Sequence, residues 1–157
     1  LPPMLEGHFG PLRLGAILVA LNTRLSPREL AYILNHSEAK VLVFDSELAP
    51  IVRAFKDDVP GIETYVQVVD VAPKAEDIPG PDYESFIASA PNKDHRVELN
   101  SELDTIAINY TSGTTGTPKG VEYNARGAYL AALGEILEMG MKKFLIIRLG
   151  QKKMRGV

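Results

Sequence analysis

Apolar positions gather first at Met4, Leu5 and Phe9, then in the unbroken run AILVAL over residues 16–21. With His8 the first group lies on one side of a helix over residues 3–10, interrupted near Pro11 or resuming briefly toward Leu14. The run has strand length and no polar alternation, the pattern of a strand buried on both faces. Next comes the clearest helix in the chain. Ser26, Pro27 and Glu29 supply an N-cap, a proline at the first helical position and a capping-box glutamate, and Leu30, Ile33 and Leu34, with Ser37 one step further, mark the buried stripe. KVLVFD (residues 40–45) repeats the pattern of a buried strand. Leu48, Ile51, Val52 and Phe55 then recur at amphipathic helical spacing, with Pro50 confining the start to about Leu48 and Pro60-Gly61 ending the helix. ETYVQVVD (residues 63–70) is a third strand. Strand, helix, strand, helix, strand is the rhythm of an α/β fold with a largely parallel sheet flanked by helices.

Residues 71–104 break that rhythm. Prolines at 73, 79, 81 and 91 and scattered charge mark a connecting segment with one short helical candidate, Tyr83 to Ser89. TIAINY (residues 105–110) and KGVEY (residues 119–123) are strand-like and flank a Gly- and Thr-rich loop, a strand-loop-strand arrangement. A helix is then predicted from Asn124, its cap, to Met139, with Tyr129, Leu130, Leu133, Ile136 and Leu137 as its stripe. No internal repeat is visible.

Composition narrows the function classes. The 157 residues are 45% apolar and 24% charged, an ordinary globular balance. There is no cysteine, which excludes disulfides, thiolate metal sites and a cysteine nucleophile. Apolar runs stay at strand length, so no membrane span is expected. LPPMLEG at the start has neither a basic head nor a long apolar core, so it reads as mid-protein sequence and not as a secretory signal, and a cytoplasmic location is expected. The net charge of −3 hides an asymmetry: all 20 acidic residues lie at or before Glu138, whereas six of the 17 basic ones, from Lys142 to Arg155, fall in the last 16 positions.

Candidate chemistry concentrates in YTSGTTGTPKGV, Tyr110 to Val121. Gly113 and Gly116 can take positive φ, which lets successive N–H groups turn toward an anion. Thr111, Ser112, Thr114, Thr115 and Thr117 add uncharged donors, and Lys119 adds a point charge for phosphate oxygens. Pro118 removes one donor and stiffens the approach. A polyphosphate suits this set, although the same composition also makes ordinary surface loops. The spacing GTTGTPKG is not a Walker loop, because Lys119 is followed by Gly120 and then by a strand instead of a helix. Ser112 lacks a GxSxG elbow and a nearby histidine, so a hydrolase nucleophile is not expected. His8, His36 and His95 stand apart with no ligand spacing, so a metal site made of side chains is not expected, and His36 is placed near a helix end. Asp45 and Asp70 close strands at what would be the ligand-binding edge of a parallel sheet, with cap or turn roles favoured over ligand contact.

These residues carry a resemblance. YTSGTTGTPKGV is similar to the phosphate-binding loop TSGTTGxPKG of the adenylate-forming (AMP-binding) superfamily, in agreement over ten consecutive positions. GAILVALNTRLSPRELAYILNHSEAKVLVFD resembles the amino-terminal subdomain of the fatty-acyl and aryl CoA ligases in that superfamily, and the likeness covers about residues 2–138. The resemblance implies ATP-dependent activation of a carboxylic acid to an acyl adenylate, then transfer to CoA, with Mg2+. The loop positions Thr111, Ser112, Gly113, Thr114, Thr115, Gly116, Thr117 and Lys119 would grip the β- and γ-phosphates by charge stabilisation and positioning. It also implies that the catalytic lysine and the adenine, ribose and hinge elements lie beyond this chain, so no catalytic residue is assigned here.

Two positions depart from the pattern: Asn124 and Ala125 stand where close members often have histidine, and Glu122 puts a charge in a strand that is usually apolar. On this reading residues 1–138 are a partial AMP-binding amino-terminal domain and 139–157 a basic tail unlike the family, and the chain is expected to be incomplete for the whole reaction. An ATP- or polyphosphate-binding module without chemistry uses the same loop and stays open beside the ligase. A third reading, in which the tail docks on nucleic acid or an anionic membrane, is weaker, because its charges lack interleaved aromatics, and no nucleic-acid partner is expected.

Overall fold

Helix α2 (Pro27–His36) forms where its signals stand. Ser26 Oγ accepts the Glu29 N–H at 3.3 Å and the Glu29 carboxylate accepts the Ser26 N–H at 2.9 Å, so the capping box is closed. Leu30, Ile33 and Leu34 are buried as the spacing predicts, joined by Ala31. At the other end Glu38 N–H donates to Asn35 O and Ala39 N–H to Leu34 O. These are the two bonds of a Schellman motif, and Glu38 occupies its left-handed position at φ 54°.

The computed structural model describes residues 2–91, 97–98, 100–111 and 117–140. Its elements run α1 (Pro2–Arg13), β1 (Leu18–Ala20), α2, β2 (Val41–Asp45), α3 (Ala49–Arg53), β3 (Thr64–Val68), α4 (Tyr83–Ala88), β4 (Thr105–Thr111), β5 (Lys119–Asn124) and α5 (Ala125–Glu135). Short 3-10 turns at Ser46–Leu48 and Lys56–Asp58 flank α3, so the helix predicted from about Leu48 is present but brief.

The strands divide between two sheets. β2 and β3 pair in parallel, from Val41 opposite Thr64 to Asp45 opposite Val68. β1 pairs in parallel with β4, and β4 pairs antiparallel with β5. The α/β class and the parallel pairings therefore hold, while β1 leaves its sequence neighbours for a strand far along the chain. Local periodicity reports strands but not their partners.

Leu30 and Leu34 of α2, Leu42 and Phe44 of β2, Val52 and Phe55, Val59, Tyr65 of β3 and Ile78 form the core beside the β2–β3 pair. β2 is covered on one face only, because Val41 and Val43 are 49% and 48% exposed while Leu42 and Phe44 are buried. β1 is likewise only partly covered. The expectation that both are buried on two faces is corrected: an apolar run specifies a strand without specifying how many layers cover it. Doubly buried character falls instead on the centre of β3, where Tyr65, Val66 and Gln67 follow one another inside.

The connecting segment is tied to β3 by one polar side chain. Gln67, fully buried, donates through Nε2 to Ala75 O (3.0 Å) and Ile78 O (3.2 Å), and its Oε1 accepts the Ala75 N–H at 2.8 Å. Gly80, at φ 123°, lets the chain pass against β3, since a Cβ there would lie 1.9 Å from Tyr65 O.

Helix α1 continues through Pro11 to Arg13, where the sequence predicts an interruption or a brief resumption. Its apolar residues Met4, Leu5 and Phe9 face solvent among the described residues, as do Tyr129, Leu130 and Leu137 near the end of the chain. Asn124 caps α5 as predicted, its Oδ1 accepting the Gly127 N–H at 2.7 Å. The α-helix ends at Glu135, and a π-helical turn carries Ile136–Gly140.

Candidate phosphate-binding hairpin

Strands β4 and β5 present the loop as a hairpin. Their register places Tyr110 opposite Gly120 and Thr111 opposite Lys119, the pair that closes the ladder at the loop end. In an antiparallel ladder, directly opposed residues share a face. A hydroxyl and an ammonium-bearing side chain therefore stand on one side of the loop mouth. Thr111, Thr117 and Lys119 are all exposed. The other five sequence candidates, Ser112, Gly113, Thr114, Thr115 and Gly116, lie outside the described residues. The strand-loop-strand arrangement predicted from sequence is present in its two arms.

A constellation that sequence reasoning missed braces the arms. Gly120 faces Tyr110 so closely that an added Cβ would come within 3.2 Å of Ile108 Cγ2 and 3.3 Å of the Tyr110 ring. Tyr110 thus covers the strand where a side chain is lacking. Its hydroxyl lies 2.7 Å from Nδ1 of His36, with the donor set by the imidazole tautomer. His36 in turn stacks on Tyr32, one turn back in α2, at 5.5 Å and 28° between rings, and meets Tyr110 edge-on at 5.8 Å. Burial pushes the Tyr110 phenol above its ordinary pKa. The helix-end position of His36 was legible in the sequence; its partner 74 residues away was not.

The two departures from the family pattern have local roles. Glu122 sits on the exposed strand β5 and accepts the Thr105 hydroxyl at 2.9 Å, a cross-strand bond beside the irregularity in β4. Asn124 is the cap of α5. At the foot of the hairpin Ala125 N–H and Arg126 N–H donate to Asp104 O and Glu102 O, and the Arg126 guanidinium meets the Glu102 carboxylate at 3.1 Å.

Other sequence candidates resolve into structural parts. Asp45 caps the turn at Ser46–Leu48, its carboxylate accepting the Glu47 N–H at 2.9 Å. Asp70 lines a shallow cleft of about 270 Å³ with Pro3, Val68, Asp82 and Tyr83. There Asp82 caps α4, and Tyr83 donates its hydroxyl to Glu6 at 2.8 Å. His8 contacts Met4 O within α1, and His95 lies outside the described residues. Among the described residues no group of three or more His, Cys, Asp or Glu could hold a metal ion, and no helix is long and apolar enough to cross a membrane.

A mixed sheet that carries the β4–β5 hairpin beside a parallel β2–β3 pair covered by α2 defines an α/β protein. The chain belongs to the AMP-binding enzyme family, whose description matches residues 1–145. It is 35% identical over 144 residues to 4-hydroxybutyrate–CoA ligase 2 of Metallosphaera sedula, a match covering 89% of this chain and 26% of that protein. It is 36% identical over 144 residues to a long-chain-fatty-acid–CoA ligase of Thermus thermophilus, covering 87% of this chain and 24% of the relative. Among solved structures it resembles a long-chain-fatty-acid–CoA ligase from Archaeoglobus fulgidus, with TM-score 0.73 and 27% identity over 90% of this chain and 26% of that one. It also resembles an anthranilate–CoA ligase in complex with anthranoyl-AMP, with TM-score 0.71 and 31% identity over 80% of this chain and 23% of that one. The chain spans about a quarter of the length of the curated relatives it matches.

Proposed function

We propose that these residues serve an acid–thiol ligase that activates a carboxylic acid with ATP to an acyl adenylate and passes the acyl group to CoA. Within it, the β4–β5 hairpin is the triphosphate cradle. The observation that carries this reading is the Thr111–Lys119 pair at the loop mouth, a donor and a cation on one face of a hairpin. Thr111, Ser112, Gly113, Thr114, Thr115, Gly116, Thr117 and Lys119 are proposed to hold the β- and γ-phosphates, with Lys119 countering their charge and the hydroxyls and backbone N–H groups fixing their orientation. Mg2+ would arrive with the triphosphate and neutralise part of its charge. No catalytic residue is assigned to this chain. The sequence predicts a separate basic tail at 139–157; because the family match runs to residue 145, the tail is proposed here only for the residues beyond it. A cytoplasmic setting and no nucleic-acid partner belong to the same proposal.

The alternative of polyphosphate binding without chemistry shares the hairpin, and one experiment separates the two. Equilibrium dialysis with Mg-ATP and with tripolyphosphate is expected to show binding by the wild-type chain, weakened roughly tenfold or more by Lys119→Ala, as loss of a charge-assisted contact implies. Equal affinity in both proteins would refute the cradle. ATP–pyrophosphate exchange with a panel of carboxylic acids then distinguishes binding alone from acid activation.

A further inference from the structure

We propose that Tyr110, anchored by His36, is a positioning residue for Lys119, so that helix α2 sets where the phosphate-facing cation stands. The proposal rests on the cradle reading and adds to it a control point outside the loop.

Lys119 is the first residue of β5 and belongs to the last pair of the ladder. Strand ends open more readily than strand centres, and the pair next inward joins a tyrosine to a glycine. Glycine contributes no cross-strand side chain, so backbone bonds and the Tyr110 ring that covers Gly120 must hold that step. Substitution by any larger residue at 120 would press on this ring or on Ile108. The far end of the ring is held by the 2.7 Å contact between its hydroxyl and His36 Nδ1, with the side chain of Ser37, the next residue of the same helix end, also bonding the phenol. His36 is itself aligned by stacking on Tyr32.

Both residues belong to α2, a helix with a capping box at one end, a Schellman motif at the other and a buried stripe between. A continuous path thus leads from a docked helix through His36, Tyr110 and Gly120 to Lys119, joining the helix over the β2–β3 sheet to the β1–β4–β5 sheet. His36 is exposed, so the link is not needed to bury it. A charged group that must meet phosphate oxygens at hydrogen-bond distance is sensitive to small displacements of its supporting strand. An aromatic strut with a tethered end is a rigid way to limit them.

The test compares Tyr110→Phe, His36→Ala and His36→Asn in the full chain, using tripolyphosphate as probe, with Tm and the backbone amide resonances of Lys119 and Gly120 recorded in parallel. Asparagine carries its amide on the same Cγ that carries Nδ1 in histidine. Tyr110→Phe and His36→Ala are expected to weaken binding by the folded protein roughly threefold to tenfold, the worth of one hydrogen bond, and to move both amide resonances. His36→Asn is expected to recover at least half of the loss. A lowered Tm with unchanged affinity and unmoved amides would reduce the contact to an ordinary tertiary anchor and overturn the proposal. If neither the wild type nor Lys119→Ala binds tripolyphosphate, the cradle reading fails by itself. The amides still decide the positioning claim: movement in Tyr110→Phe and His36→Ala with recovery in His36→Asn supports it, and unmoved amides overturn it.

Discussion

Replacing Gln67 by methionine keeps the volume of the side chain and removes its three hydrogen bonds. Two of the three backbone partners would be stranded: Ala75 N–H and Ile78 C=O lose the bonds they make to the glutamine, while Ala75 C=O keeps the Ile78 N–H at 3.3 Å. Ala75 and Ile78 are 8% and 1% exposed. A buried backbone group left without a partner costs about 1–3 kcal/mol, so two groups cost about 2–6 kcal/mol. The segment around Ala75 could escape by opening to water. Ile78 would then leave the core, at a cost of about 1.5–3 kcal/mol in lost burial. The first route exceeds, and the second at least reaches, the about 1.5 kcal/mol ceiling of a volume-conserving swap that disturbs only packing. Urea denaturation of the two proteins, with the midpoint and slope compared, reads the difference. The cheaper route sets the loss, so about 2–3 kcal/mol is expected, a substantial fraction of the stability of a domain this size. A loss below about 1.5 kcal/mol would refute the assignment of Gln67 as the tie between β3 and the connecting segment.

Glu38→Gly is expected to stabilise the chain by about 0.5–1 kcal/mol, because glycine relieves the left-handed position that closes α2; no gain in the urea midpoint would contradict this. Ser26→Ala should cost about 1 kcal/mol through the lost cap. It should also flatten the acid limb of stability. The Ser26 hydroxyl and N–H hold the Glu29 pKa below its ordinary value, so their contribution is present above the unfolded carboxylate pKa and disappears as pH falls through the folded one. A pH series of melting curves checks the second effect. Burial, with the Glu6 carboxylate adding to it, pushes the Tyr83 phenol up to about 12. Folded protein holds that proton more tightly than unfolded chain, so stability should decline between about pH 10 and pH 12, and Tyr83→Phe should remove that part of the decline.

Local signals were legible wherever they were self-contained. Ser26-Pro27-x-Glu29 announced a helix start whose satisfaction depends on four consecutive residues, and Asn124 announced another. The two arms of the loop were legible because both flanking strands stand where strand-like runs predicted them; the loop's own composition also suits ordinary surface loops, and only its resemblance to a family motif singled it out. Gln67 was not legible as a core residue, since a polar residue in a strand shows nothing of the backbone groups it will meet. Nor was the role of His36, whose neighbours in sequence gave only a helix end.

The sequence by itself determined most of the elements and the caps of α2 and α5, because each of these is specified by residues within a few turns or strand steps of one another. Tertiary structure alone decided that β1 joins β4 instead of β2, that β2 has one open face, and that α2 reaches the base of the hairpin through His36 and Tyr110. Pairing and covering are settled by which surfaces meet once the chain has closed its long loops, and no local pattern encodes that meeting.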